Sequence, residues 1–212
     1  MLNVGLTGGI ACGKSTVAKM FVQKGAYLID FDLLAHKVQE PENTAWKKIV
    51  DFFGREILQT NGKIDRIKLG RIVFTDKKKL HALNKIVHPL VYQEWHRQLE
   101  KIGEKDPHAI VLSDIPLLFE GRKQHLFDVI LLVLIDPEDQ IHRLTARNRI
   151  CREEAERRLK SQMPIGEKAI LADIVIDNRR SLPETQKMVN NVWKELLQRE
   201  KEKRGDSLKP VT

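Results

Sequence analysis

The stretch Leu2-Asn3-Val4-Gly5-Leu6-Thr7-Gly8-Gly9-Ile10-Ala11-Cys12-Gly13-Lys14-Ser15-Thr16 decides the fold. Its first six residues are a short apolar run of strand character. Gly8 through Ser15 match G-x-x-x-x-G-K-[ST], and a helix-period stretch follows from about Lys14 to Lys24, ended by Gly25. Strand, glycine-rich loop, helix is the order a phosphate cradle requires. Glycines let successive backbone N–H groups turn toward one anion, and the helix N-terminus adds its positive dipole end. Gly8, Gly9, Ala11, Cys12, Gly13, Lys14, Ser15 and Thr16 are therefore candidate ATP-binding residues. Lys14 would reach the outer phosphates, and the Ser15 hydroxyl is placed to ligate Mg2+. The alternative, a glycine-rich turn with a surface lysine, does not account for the flanking strand and helix.

Working outward, Tyr27-Leu28-Ile29-Asp30 reads as a second strand, so the chain opens β–loop–α–β. From about residue 32 to 107 helical spacing dominates, with Asn61-Gly62 marking a turn between helices. Strand character returns in Ala109–Leu112 and Val129–Ile135, and Ile174–Ile176 is a fifth candidate. These near-continuous apolar runs suit strands covered on both faces. A charged segment of helix-forming composition, Arg143 to Lys160, lies between the fourth and fifth strands. The last helix is expected over Leu182–Arg199, with Glu200–Thr212 frayed. The expectation is an α/β, three-layer P-loop NTPase fold with a five-stranded parallel sheet. Its core would be residues 1–31 and 108–212 of a single domain, with a helical insertion at about 32–107 and a lid at about 140–165.

The 212 residues carry 37 Lys and Arg against 29 Asp and Glu, a formal net charge of +8, which favours anionic partners. Residues 143–160 hold seven basic and three acidic side chains, so half of that excess sits in the expected lid. The longest apolar run, Val129–Ile135, is far short of the roughly 20 residues that span a bilayer. Two cysteines, Cys12 and Cys151, are too few for a disulfide framework. No secretory signal is legible, so the reducing cytoplasm is the expected compartment. A nucleic-acid-binding regulatory ATPase is the rival that the charge suggests. However, Trp46, Trp95 and Trp193 fall at helical spacing, as packing residues rather than a stacking platform. Neither a nucleic acid nor a membrane is expected as partner, and the oligomeric state is not legible.

Among phosphate-loop proteins, guanine specificity needs Asn-Lys-x-Asp, and Asn84-Lys85-Ile86-Val87 lacks the aspartate. A short chain with a helical insertion and an arginine-rich lid suits a small-molecule kinase. Asp30 and Asp32 follow the second strand, where ligands bind in open α/β sheets, and either could accept the proton of a substrate hydroxyl. Asp114 ends the third strand and either holds Mg2+ or caps a turn before Pro116. Arg143 and Arg147 are candidates to neutralise charge on a transferring phosphoryl group, although Glu153, Glu154 and Glu156 would also allow a merely solvated helix face. Cys12, at a helix N-terminus beside Lys14, is expected either to have a lowered pKa and oxidise readily, or to be an inert small residue.

Taken with Asp30-Phe31-Asp32, His88-Pro89 and Pro116-Leu117-Leu118-Phe119-Glu120, the loop resembles that of dephospho-CoA kinases. The resemblance runs over about residues 3–195. It includes Asn61-Gly62-Lys63-Ile64-Asp65-Arg66, Gln140 with Arg143-Leu144 and Arg147, Gln162, Ala172-Asp173, and Ile176-Asp177-Asn178. It implies transfer of the ATP γ-phosphate to the 3′-hydroxyl of dephospho-CoA, the last step of coenzyme A synthesis. It makes Asp32 the base, with Lys14, Arg143 and Arg147 also catalytic. The insertion would bind the acceptor, helped by His88, Pro116, Leu117, Leu118 and Glu120. Asn178 would lie near the adenine, and Ser15 and Asp114 would hold Mg2+. The runner-up is another small-molecule P-loop kinase, acting on a nucleoside or nucleoside monophosphate. The chain departs from the family pattern at Ala11-Cys12, usually Gly-Ser, at Phe31, usually alanine, and at Arg179-Arg180, usually a small residue and Gly.

Overall fold

A computed structural model describes residues 1–207; the end of the tail expected to fray, residues 208–212, lies outside the described residues. The chain divides into two compact units, one of residues 1–29 with those from 102 onward, the other of residues 30–101. Five strands, β1 (Leu2–Gly8), β2 (Tyr27–Asp30), β3 (Ile110–Asp114), β4 (Val129–Leu134) and β5 (Ile174–Asp177), form one parallel sheet in the order β2-β3-β1-β4-β5. β1 is central, with Leu6 in register with Asp114 of β3 and Gly8 with Val133 of β4. The third strand ends at Asp114, as expected, two residues beyond its apolar run, and pairs Asp114 with Leu6 just before the phosphate loop.

The apolar runs are buried as their composition requires. Val4, Leu6, Leu112, Leu131 and Val133 are fully buried. Helix α1 (Lys14–Val22) presents Val17, Ala18 and Phe21 to the same core cluster as Val189, Val192 and Leu196 of α9 (Leu182–Ser207). Thr185, Val189, Val192, Leu196 and Glu200 are all buried and recur every three or four residues, one stripe of the helix. The stripe continues past Arg199, the expected end. Glu200 lies 3.6 Å from the Met1 amine, 3.3 Å from His108 Nδ1 and 3.4 Å from Arg204 Nε. A buried carboxylate with three basic neighbours anchors residues that composition alone leaves frayed, and the helix holds through Ser207.

The expected charged run proves to be two helices, α6 (Pro137–Asn148) and α7 (Arg152–Lys160). Arg149, in the left-handed region at φ 53°, separates them, and a short α8 (Ile165–Leu171) leads to β5. The unit of residues 30–101 holds α2 (Phe31–Val38), α3 (Thr44–Phe53), α4 (Arg66–Phe74) and most of α5 (Lys77–Lys105), which continues unbroken through Pro89. The Asp65 carboxylate caps α4 by accepting from the N–H groups of Ile67 and Lys68, both at 3.0 Å. Trp95 is buried against Phe31 and Tyr92, and Trp46 Nε1 donates to the Gly62 carbonyl at 2.9 Å. Among the described residues no helix is long and apolar enough to cross a membrane.

Leu131 is fully buried at the middle of the sheet. Leu131→Ala is expected to lower unfolding free energy by about 2–5 kcal/mol, measured by urea denaturation, without changing secondary structure by circular dichroism.

Candidate active site

The loop after β1 turns as its composition allows. Ala11 and Gly13 both have positive φ, 59° and 88°, and Gly13 is the residue from which α1 starts. The Cys12 N–H donates to the Gly9 carbonyl at 3.2 Å and the Thr16 N–H to the Gly13 carbonyl at 3.0 Å, which closes the turn. A Cβ on Gly13 would overlap the Asn178 amide, and one on Gly9 would overlap Gln140. Both glycines are therefore fixed by close approach of a side chain, and Gly13 by backbone conformation as well.

Three carboxamides surround the loop. Gln140 Nε2 donates to the Ile10 carbonyl at 2.8 Å, and Gln162 Oε1 accepts from the Ile10 N–H at 3.0 Å. Asn178 Nδ2 donates to the Cys12 carbonyl at 2.8 Å, while its Oδ1 accepts from Thr185 Oγ1 at 2.8 Å. Gln140 and Asn178 thus satisfy the Ile10 and Cys12 carbonyls, and Gln162 takes up the Ile10 N–H.

Lys14 is ion-paired with Asp114, which is buried. Ser15 and Thr16 lie exposed in the first turn of α1. Arg143 is half-buried, with Nη2 at 3.5 Å from the Asn178 carbonyl, and Arg147 is exposed beside Asn148. The arginines of the excursion now separate into two sets. Arg152 pairs with Glu138 and Glu156, and Arg157 and Arg158 pair with Glu154. Arg143 and Arg147 have no carboxylate partner among the described residues. The pairing in α7 is that of a solvated helix face, and Arg143 and Arg147 of α6 stay candidates to meet an anion.

In the unit of residues 30–101, Asp30 and Asp32 also separate. Asp30 Oδ1 accepts from the Asp32 N–H at 2.8 Å and the Leu33 N–H at 3.1 Å, so it caps α2. Asp32 is exposed in the first turn of that helix. His88 is exposed on α5.

The dephospho-CoA kinase family model matches residues 2–184. This chain belongs to the dephospho-CoA kinase family. A curated relative named dephospho-CoA kinase, from Syntrophus aciditrophicus, is 52% identical over 201 residues, which are 95% of this chain and 86% of the relative. A crystal structure from Thermus thermophilus superposes with a TM-score of 0.77 at 34% identity, covering 91% of this chain and 96% of that one. The dephospho-CoA kinase from Campylobacter jejuni gives 0.70 at 28% identity, covering 92% and 96%.

Against that family resemblance, four side chains have other surroundings than expected. Leu118 is fully buried in the core, whereas Leu117 beside it is half-exposed and Pro116 partly so. The Glu120 carboxylate is engaged: its Oε1 lies 2.7 Å from Lys168 Nζ and accepts from the Met163 N–H at 3.0 Å. Asn178, expected beside an adenine, is buried with its carboxamide turned onto the phosphate loop and Thr185. Cys12 is not an activated thiol. It is 1% exposed, and burial pushes its pKa up, outweighing the opposing pull of the Lys14 N–H and charge. The departure at Arg179 also has a local account. Its guanidinium forks onto the Asp177 carboxylate at 2.7 and 2.8 Å, which holds that carboxyl below its ordinary pKa. Gln140 and Gln162 belong to the family pattern, but their hold on Ile10 is visible only in the tertiary structure, as is the pairing of Lys168 with Glu120.

Because Cys12 is buried and Cys151 exposed, alkylation by iodoacetamide at pH 7.5 should label Cys151 first and leave Cys12 largely unmodified in the folded protein. Peptide mass spectrometry with and without denaturant reads the difference.

Proposed function

We propose that this protein transfers the γ-phosphoryl group of ATP to the 3′-hydroxyl of dephospho-CoA, giving coenzyme A and ADP. The observation that carries this reading is the family match over residues 2–184, with the strand–loop–helix phosphate cradle intact inside it. In the reaction the 3′-oxygen attacks the γ-phosphorus, the bond to the β-phosphate oxygen breaks, and the hydroxyl proton leaves to a base. Asp32 is the assigned base. Of the two aspartates at the start of α2, Asp30 already accepts two backbone N–H groups, while Asp32 is exposed. The loop N–H groups and Lys14 would hold the β- and γ-phosphates. Arg143 and Arg147, unpaired with any described carboxylate, would neutralise charge that spreads over the moving group.

A hard divalent cation suits the oxygen donors present. Asp114 is a carboxylate within reach of the phosphate-loop lysine, and Ser15 offers a hydroxyl from the first turn of α1. We assign both to Mg2+, which would supply positive charge against the triphosphate when bound. Lys14 would hold phosphate oxygens in place of its present partner, and the Asp114 carboxylate would be a donor to the cation. His88, Pro116 and Leu117 remain the assigned acceptor contacts. Leu118 and Glu120 are withdrawn from that set. The partners are two small molecules, ATP and dephospho-CoA, and the cytoplasm is the compartment that goes with them.

ADP release measured with a panel of acceptors tests the assignment: dephospho-CoA should turn over, and uridine and AMP should not. Turnover of AMP or uridine without dephospho-CoA would overturn it in favour of a nucleoside or nucleotide kinase. Asp32→Asn should lower kcat by at least about 100-fold with little change in KM for ATP, the loss expected of a general base. Chelation of Mg2+ by EDTA should abolish turnover, and excess Mg2+ should restore it.

A further inference from the structure

The Ile10 peptide is gripped from both sides. Its carbonyl accepts from Gln140 in α6, and its N–H donates to Gln162, two residues beyond the end of α7. Both polar groups of one loop residue are thus satisfied by side chains from the two ends of the arginine-bearing excursion. Apolar packing follows the same path: Ile10 and Ala11 pack against Ile141 and Leu144 of α6 and Ala155 of α7.

The far side of this grip is also fixed. Met163, next in sequence to Gln162, donates its N–H to Glu120 Oε1 at 3.0 Å, and the fully buried Lys168 holds the same oxygen at 2.7 Å. A chain of contacts runs from Ile10 through Gln162 and Met163 to Glu120 and Lys168. The loop beside it borders a cavity of about 400 Å3, lined in part by Gly9, Gln140, Leu159, Gln162 and Met163. The two amide hydrogen bonds hold Ile10 beside this open space.

We propose that Gln162 is a positioning residue: with Gln140 it clamps the Ile10 peptide, ties the shape of the phosphate loop to the placement of α6 and α7, and so sets nucleotide affinity. The proposal rests on the reading of this loop as the ATP site but not on the identity of the acceptor. Removing the acceptor oxygen of Gln162 leaves the Ile10 N–H without its partner, and the loop gains freedom that nucleotide binding must then remove. A cradle held in shape before the anion arrives binds it more tightly, and Arg143 rides on the same helix as Gln140.

The test uses the full-length protein with ADP and Mg2+ and no acceptor, so a wrong acceptor assignment leaves it intact. Gln162→Met, close in shape but without the carboxamide, should raise the Kd for ADP about tenfold by calorimetry. In the nucleotide-free protein it should also speed hydrogen exchange at the Ile10 amide, read by NMR, while exchange in β4 stays unchanged. Gln162→Glu keeps an acceptor oxygen and should retain the protection of Ile10. Gln140→Met should weaken ADP binding by a similar factor while leaving the Ile10 N–H bonded, so it serves as the second measurement if Gln162→Met does not fold. ADP affinity within twofold of the native value in the variants that fold would overturn the proposal. Faster exchange spread evenly through β4 would overturn it too, since that marks general destabilisation.

Discussion

The backbone of residues 8–15 must turn its N–H groups toward one point, and most of the site depends on how that turn is held. Inward donors leave outward carbonyls, and a carbonyl near a buried sheet edge needs a partner. Left-handed backbone at Ala11 and Gly13 makes the turn. Carboxamides then reach the Ile10 and Cys12 carbonyls from Gln140 and Asn178. The strand order makes this possible. With β1 central and β4 and β5 on one side of it, the segments that leave β4 and β5 emerge at the same edge as the loop. Gln140 lies in the helix after β4, and Asn178 is the first residue after β5. Sheet topology thus delivers the braces.

The same edge sorts charge. A net charge of +8 does not by itself distinguish a nucleic-acid surface from a phosphate site. The ion pairs do. In α7 the arginines sit three or four residues from glutamates and pair with them on an exposed face, where such pairs contribute little to stability. In α6, Arg143 and Arg147 lack such partners. The half-buried Arg143 lies against the Asn178 carbonyl, beside the residue that braces the loop. An unpaired guanidinium at that position stays available to an anion, and a paired one would not.

How far the sequence could be read follows from the range of the forces involved. The loop, its strand and its helix were legible because glycine placement and apolar periodicity act within a few residues. The five-stranded parallel sheet followed from apolar runs of the right length. The end of α9 was not legible, because Glu200 is held by Met1 and His108, groups distant in sequence. The choice between an activated and an inert Cys12 thiol was open in the sequence for a related reason. A helix N-terminus and a neighbouring lysine are visible in sequence, but the burial that outweighs them is not. Leu118 and Glu120 were assigned by motif, and a motif does not say which side chain faces the core and which meets a buried lysine from α8.

Asp30-Phe31-Asp32 shows how three adjacent residues divide one task. Two carboxylates spaced by one residue are equivalent in sequence, and only one can cap the helix that begins between them. Asp30, still in extended backbone at φ −95° and ψ 115°, has its side chain aimed along the new helix axis and accepts two of the orphan N–H groups there. Phe31 turns inward against Tyr92 and Trp95, which fixes the rotation of the first helical turn. With the cap made by Asp30 and the ring buried, Asp32 is left exposed in the first turn of the helix. An alanine at position 31 would keep the spacing but give up the ring contacts that fix the turn. The phenylalanine therefore keeps the spacing of the two carboxylates and adds ring contacts beneath the first turn of the helix.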